Sequence, residues 1–107
     1  MKGSVARSTF TTAIDNREPV DRLHSLGLEQ GKIYYFTELR DLGGHTVTHR
    51  WMYGGQVMAE VSFDVGGPRW RVWSSKDLVP GWSGEWTVEV VADDGQVLAE
   101  DSFEYAP

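Results

Sequence analysis

Residues 46–65 read TVTHRWMYGGQVMAEVSFDV, and this run decides the fold. In its second half Val57, Ala59, Val61, Phe63 and Val65 alternate with Met58, Glu60, Ser62 and Asp64. That period of two sends apolar and polar side chains to opposite faces of a strand. In its first half Val47, His49, Trp51 and Tyr53 share one face, and Thr46, Thr48, Arg50 and Met52 the other. Gly54-Gly55 between them is a two-residue hairpin turn, because adjacent glycines both accept positive φ. Working outward, the same pattern predicts strands over 5–14, 33–39, 69–75, 86–91 and 97–105. Asp41-Leu42-Gly43-Gly44, Gly66-Gly67-Pro68 and Asp93-Asp94-Gly95 supply the turns. Only 19–28 offers a helix, of one or two turns, or else an irregular loop packed by Leu23 and Leu26. Seven short strands with a turn every ten residues or so predict an all-β, immunoglobulin-like antiparallel β-sandwich, one domain over residues 5–106. A small β-barrel gives the same string and is the alternative.

Composition bounds the function. The 107 residues contain no cysteine, which removes thiolate metal sites, disulfides and thiol nucleophiles. No apolar run approaches the length of a membrane span, and no charged-then-apolar leader is present, so direct membrane insertion by this segment is not expected. The net charge of -6 is uneven: seven Lys/Arg face six Asp/Glu through Tyr53, and three face ten from Gly54 onward. Such a field repels phosphate backbones, so nucleic acid is not an expected partner. Glu85, Glu89, Asp93 and Asp94 lack the spacing of a calcium loop and read as a solvated strand face.

Catalysis and metal binding each need a constellation. Ser75, His49 and Asp77 can be written as a hydrolase triad, but no serine lies in a Gly-x-Ser-x-Gly elbow. His45 and His49 would chelate from a helix; on a strand they stand about 13 Å apart. His49 therefore reads as a core histidine beside Trp51, and His45 as a turn residue. No catalytic residue, metal or cofactor is assigned.

The aromatic residues carry more. All five tryptophans fall between Trp51 and Trp86. Trp51, Trp70 and Trp86 on inward positions would build the core with Phe36, Phe63 and Phe103. Arg50, Arg69, Arg71 and Trp73 then face outward, with Trp82 on the following loop and Lys76 near the strand end. An indole beside guanidinium groups can stack as a self-contained cation–π pair, offer a platform to a sugar ring, or centre a protein interface. The arginines could equally pair with Glu60, Asp64, Glu85 or Glu89 on neighbouring strands.

Several pieces have a familiar form: Arg17-Glu18-Pro19, Tyr34-Tyr35-Phe36-Thr37-Glu38-Leu39, His49-Arg50-Trp51, Trp70-Arg71-Val72-Trp73-Ser74-Ser75-Lys76 and Gly84-Glu85-Trp86-Thr87-Val88, with Asp94-Gly95 and Phe103. Together, from about Val5 to Tyr105, they resemble the bacterial family of unknown function DUF2914. The resemblance implies no activity or ligand. Members of that family are often attached to membrane-anchoring segments, which implies a periplasmic or membrane-anchored domain on the outer side of a bacterial inner membrane.

The reading is a non-enzymatic interaction module that binds a glycan or protein partner through Arg50, Arg69, Arg71, Trp73, Lys76 and Trp82. The competing readings are a small hydrolase using His49 and Ser75, and a purely structural spacer. The Thr-rich first strand offers an edge through which two copies could pair.

Overall fold

The computed structural model describes residues 3–27 and 29–106. Two sheets face each other. β1 (Ser4–Thr11), β5 (Lys32–Arg40) and β8 (Arg69–Asp77) form a small sheet in the order β1-β5-β8. The large sheet runs β4-β10-β9-β6-β7, with β4 (Ser25–Leu26), β6 (Thr46–Tyr53), β7 (Gln56–Asp64), β9 (Gly84–Ala92) and β10 (Val97–Tyr105). All pairings are antiparallel except that of the short β4 with β10. Three long strands against four is the partition of an immunoglobulin-like sandwich, and neither sheet closes into a barrel. β2 (Ile14–Asp15) and β3 (Glu18–Pro19) form a separate small hairpin.

The seven strands expected from alternation are all present. At the decisive turn Gly54 and Gly55 both take positive φ, 59° and 78°. No helix forms over the described residues 19–27. Leu23 instead bridges Phe10 on β1, and Leu26 is buried where β4 pairs with β10. Leu28, the end of that stretch, lies outside the described residues. A backbone without helical periodicity gains more here by adding to two existing sheets than by closing one isolated turn.

Phe10, Tyr35, Trp51, Trp86 and Phe103 fill the space between the sheets. Phe10 lies 4.8 Å from Tyr35 and 4.7 Å from Phe103, ring centre to ring centre. Trp86 is stacked between Tyr53 at 4.8 Å and Phe103 at 6.3 Å. Two core expectations need correction. Trp70 is 39% exposed; its ring lies against the Gly66-Gly67 turn, where a Cβ on Gly66 would meet it at 2.8 Å. Phe36 is fully buried, but on the outer face of the small sheet, under the Arg7 guanidinium at 5.2 Å. Phe63 does pack against the core, from a partly buried position 4.9 Å from the His49 ring. A further departure sits on β7: a bulge opposite Trp51/Met52 pairs Val57 with Met52, turns Val57 outward and lets Met58 pack on the core.

Candidate functional site

Register brings the outward side chains of the small sheet into cross-strand rows. Arg7, Glu38 and Arg71 form one row; Thr9, Phe36 and Trp73 form the next; Arg40 and Arg69 sit side by side at the end. The β2–β3 hairpin folds over this face. Asp21 fastens its base, accepting hydrogen bonds from the Thr11 hydroxyl at 2.6 Å, the Thr12 backbone at 2.8 Å and the Thr12 hydroxyl at 2.7 Å. Burial pushes the Asp21 carboxyl up, but these bonds outweigh it and hold it below the ordinary aspartate value. At the hairpin tip Asn16 and Arg17 both take left-handed φ, 51° and 61°. That geometry matches the twist of a two-residue hairpin.

The tip places Arg17 at a depression of about 340 Å³ that it lines with Arg69, Trp70, Arg71 and Trp73. This volume is within the range of small-ligand sites. A second notch of about 220 Å³, lined by Phe63, Arg71, Val72 and Trp73, opens where the edge strands β7 and β8 leave the sandwich unclosed. Trp73 and Arg71 therefore stand between two recesses.

Two carboxylates organise the arginines. Glu38, with its side chain only 4% exposed, meets Arg7 at 2.7 Å, Arg40 at 2.8 Å and Arg69 at 3.2 Å. Glu18 on the hairpin meets Arg7 at 2.8 Å and Arg71 at 2.7 Å. Arg7 is the main cause that holds both glutamates at about 2, with Arg71 adding to it for Glu18, and Arg69 and Arg40 for Glu38. In turn Glu18 first, and then Glu38, raises the Arg7 guanidinium above its ordinary value. Arg17 has no acidic partner among the described residues.

The six residues singled out from the sequence do not form one cluster. Arg69, Arg71 and Trp73 line the depression, as their shared face suggested. Arg50 stands on the outer face of the other sheet, between Glu60 at 3.0 Å and Glu89 at 3.4 Å. Lys76 lies 4.8 Å over the Trp82 ring, while Trp82 packs edge-on against Trp86 and its carbonyl accepts the Trp86 indole N–H. These two cap one end of the sandwich. The pairing of Arg50 with Glu60 and Glu89 follows the sequence expectation; Arg69 and Arg71 pair instead with Glu38 and Glu18. Arg17, Glu18, Glu38 and Trp70 were not foreseen as site residues. The Asp15-Asn16-Arg17-Glu18 run, with two residues prone to turns ahead of a charged pair, was the available signal for the hairpin.

His49 and Ser75 are kept apart. His49 is fully buried between the sheets, with Nδ1 2.7 Å from the Ser74 hydroxyl and Nε2 2.9 Å from the Thr37 hydroxyl. Ser74 also accepts the Trp51 indole N–H at 3.0 Å. A neutral ring with its proton on Nε2 completes this chain, Trp51 to Ser74 to His49 to Thr37. Burial drives the His49 pKa down to about 3. Ser75 and Asp77 point from β8 to the opposite, outer face, so the written triad does not assemble. His45 is at the mouth of the turn, its Nδ1 3.1 Å from Asp93, which also accepts the Thr46 N–H. Among the described residues no three His, Asp or Glu side chains converge as a metal site, and no helix is long and apolar enough to cross a membrane.

The model of the family described as "Protein of unknown function (DUF2914)" matches residues 44–105, more than half of the chain. The chain belongs to that family. The DUF2914 match covers β6 to β10, including Arg69, Trp70, Arg71 and Trp73. The pieces Arg17-Glu18-Pro19 and 34–39 lie outside it, so the depression joins DUF2914 residues to a hairpin beyond the matched stretch. No curated protein matches the chain.

Proposed function

We propose that this domain is a non-enzymatic binding module that takes a glycan into the depression bounded by Arg17, Arg69, Trp70, Arg71 and Trp73. The carrying observation is that depression: three guanidinium groups and two indoles gathered at one recess, with Arg17 free of any carboxylate among the described residues. Indole faces suit the flat, C–H-rich side of a pyranose, and guanidinium forks donate to its oxygens. Trp70, exposed beside three arginines, supports a binding surface over a plain spacer, because exposed aromatic and arginine side chains are the types enriched where proteins bind. A non-enzymatic role is supported by the interior position of His49, where it has neither access to solvent nor Ser75 beside it. The resemblance to DUF2914 supports a setting on the outer side of a bacterial inner membrane, where cell-envelope glycan is at hand.

The test is tryptophan fluorescence of the wild type and of Trp73→Ala during titration with a panel of cell-envelope and simple polysaccharides. A saturable change in the wild type that vanishes in Trp73→Ala, with unchanged far-UV circular dichroism, is the expected result. A flat response of the wild type across the panel would overturn the glycan reading and turn attention to a protein partner.

A further inference from the structure

We infer that the depression selects glycans that carry carboxylate groups, with Arg17, Arg69 and Arg71 as the anion-binding residues and Glu18 as the internal carboxylate that the ligand displaces from Arg71. This rests on the glycan reading above and gives it a chemical class.

Charge placement is the first support. The chain has ten Lys/Arg and a net charge of -6. Five of those ten, Arg7, Arg17, Arg40, Arg69 and Arg71, gather at one end of the outer face of the small sheet, where Glu18 and Glu38 are the carboxylates that pair with them among the described residues. These seven side chains sum to +3, so the remainder of the chain carries -9. An acidic protein has concentrated its positive charge around one recess.

The arginines also keep open donors. Arg69 gives one terminal nitrogen to Glu38, and Arg71 one to Glu18; the other N–H groups of each fork make no side-chain hydrogen bond among the described residues. Arg17 makes none at all among them, and it is held over the recess by a left-handed backbone that costs a non-glycine residue on the order of 1 kcal/mol. Glu18 shows what fits. Its carboxylate grips Arg7 with two parallel bonds of 2.8 and 2.9 Å and reaches Arg71 at 2.7 Å, the fork geometry that carboxylates share with guanidinium groups. A ligand carboxylate placed at Arg71 repeats a contact the protein already makes to itself.

The surrounding charge limits the ligand in the other direction. A phosphodiester polymer running beyond the recess would meet the negative remainder of the chain. A uronic-acid glycan offers a ring for Trp70 or Trp73 and one planar carboxylate per sugar, at lower charge density. The observations favour that class.

The experiment is a calorimetric titration of the whole chain with oligogalacturonate, with its methyl ester (the same rings without charge) and with a single-stranded oligonucleotide. The variants are Arg17→Asn, which keeps a side chain suited to left-handed φ, Glu18→Gln and Trp73→Ala, each checked for an intact fold by near-UV circular dichroism. Oligogalacturonate should bind at least about tenfold more tightly than its ester, the scale of one charge-assisted contact. Arg17→Asn should remove most of that margin, Glu18→Gln should widen it by freeing Arg71, and added salt should narrow it. Equal affinity for acid and ester, abolished in Trp73→Ala, would overturn the carboxylate inference and leave the glycan reading standing. Tighter binding of the oligonucleotide would overturn the inference in favour of phosphate. Binding of none of the three probes would overturn it and count against the glycan reading too.

Discussion

The two outer faces of the sandwich carry the same device with the signs exchanged. On the small sheet a row of three strands reads Arg7, Glu38, Arg71; on the large sheet the corresponding row reads Glu60, Arg50, Glu89. One centres an acid between bases and the other a base between acids. Their environments differ. The Glu38 side chain is 4% exposed, with a hairpin folded over its face, while that of Arg50 is 33% exposed on an open sheet. Cross-strand pairing in water stabilises little, but the same pairing with a desolvated centre makes that centre hard to remove. The small face thus has a fixed, cross-linked set of arginines, and the large face a solvated ladder of glutamates and threonines.

The largest expected effect lies in the layer between the faces. Folding holds His49 neutral, with its pKa at about 3 against about 6.5 in an unfolded chain. The unfolded state therefore takes up the proton first. Stability should be fullest above pH about 6.5 and fall as the pH drops toward 3, by an amount on the order of 4 kcal/mol. Urea midpoints measured from neutral pH downward check this, and His49→Gln, which does not titrate, should flatten the upper part of that limb.

Glu38→Gln comes next. It leaves Arg7, Arg40 and Arg69 without their shared carboxylate and should cost about 2 kcal/mol in urea unfolding. A second readout is the acid limb. Glu18 and Glu38 sit at about 2 in the folded protein, so their stabilisation is present above the unfolded value of about 4.3 and is lost as pH falls toward 2. Glu38→Gln should shorten that limb. The smallest effect belongs to the mirrored position: Arg50→Gln should change the urea midpoint much less than Glu38→Gln does, and less again at about 0.5 M salt. A loss as large as that from Glu38→Gln would break the contrast between a covered and an open row.

Most of the fold was legible because alternation and glycine turns are local signals. The strand limits over 46–53 and 97–105 agree with the structure, and both hairpin turns fall where Gly54-Gly55 and Asp93-Asp94-Gly95 stand. The site was legible only by halves. Parity along a strand shows that Arg50 and Arg71 both face outward, but not that β6 and β8 belong to different sheets, which puts the two arginines on opposite sides of the molecule. Parity likewise sent Trp70 inward without showing that the sandwich ends at the Gly66-Gly67 turn beneath it. Val57 followed the alternation on paper, and a single bulge reversed it. Glu18 and Arg17 are long-range partners of β8, 53 residues away in the Glu18–Arg71 bond, and no local pattern encodes that meeting.

Opposed charge on the two faces has a consequence for how the domain meets anything. Glu60, Asp64, Glu85, Glu89, Glu100 and Glu104 stand on the far side from the five arginines, with Arg50 alone among them in the strands described. The molecule is therefore a permanent electric dipole, and in the field of an anionic polymer or surface it feels a torque before it touches. If the recess takes an anionic glycan as proposed, that bias would make the hairpin and the recess beneath it lead, so that the first collisions would already be productive. Salt would slow that arrival before it weakened the contact itself.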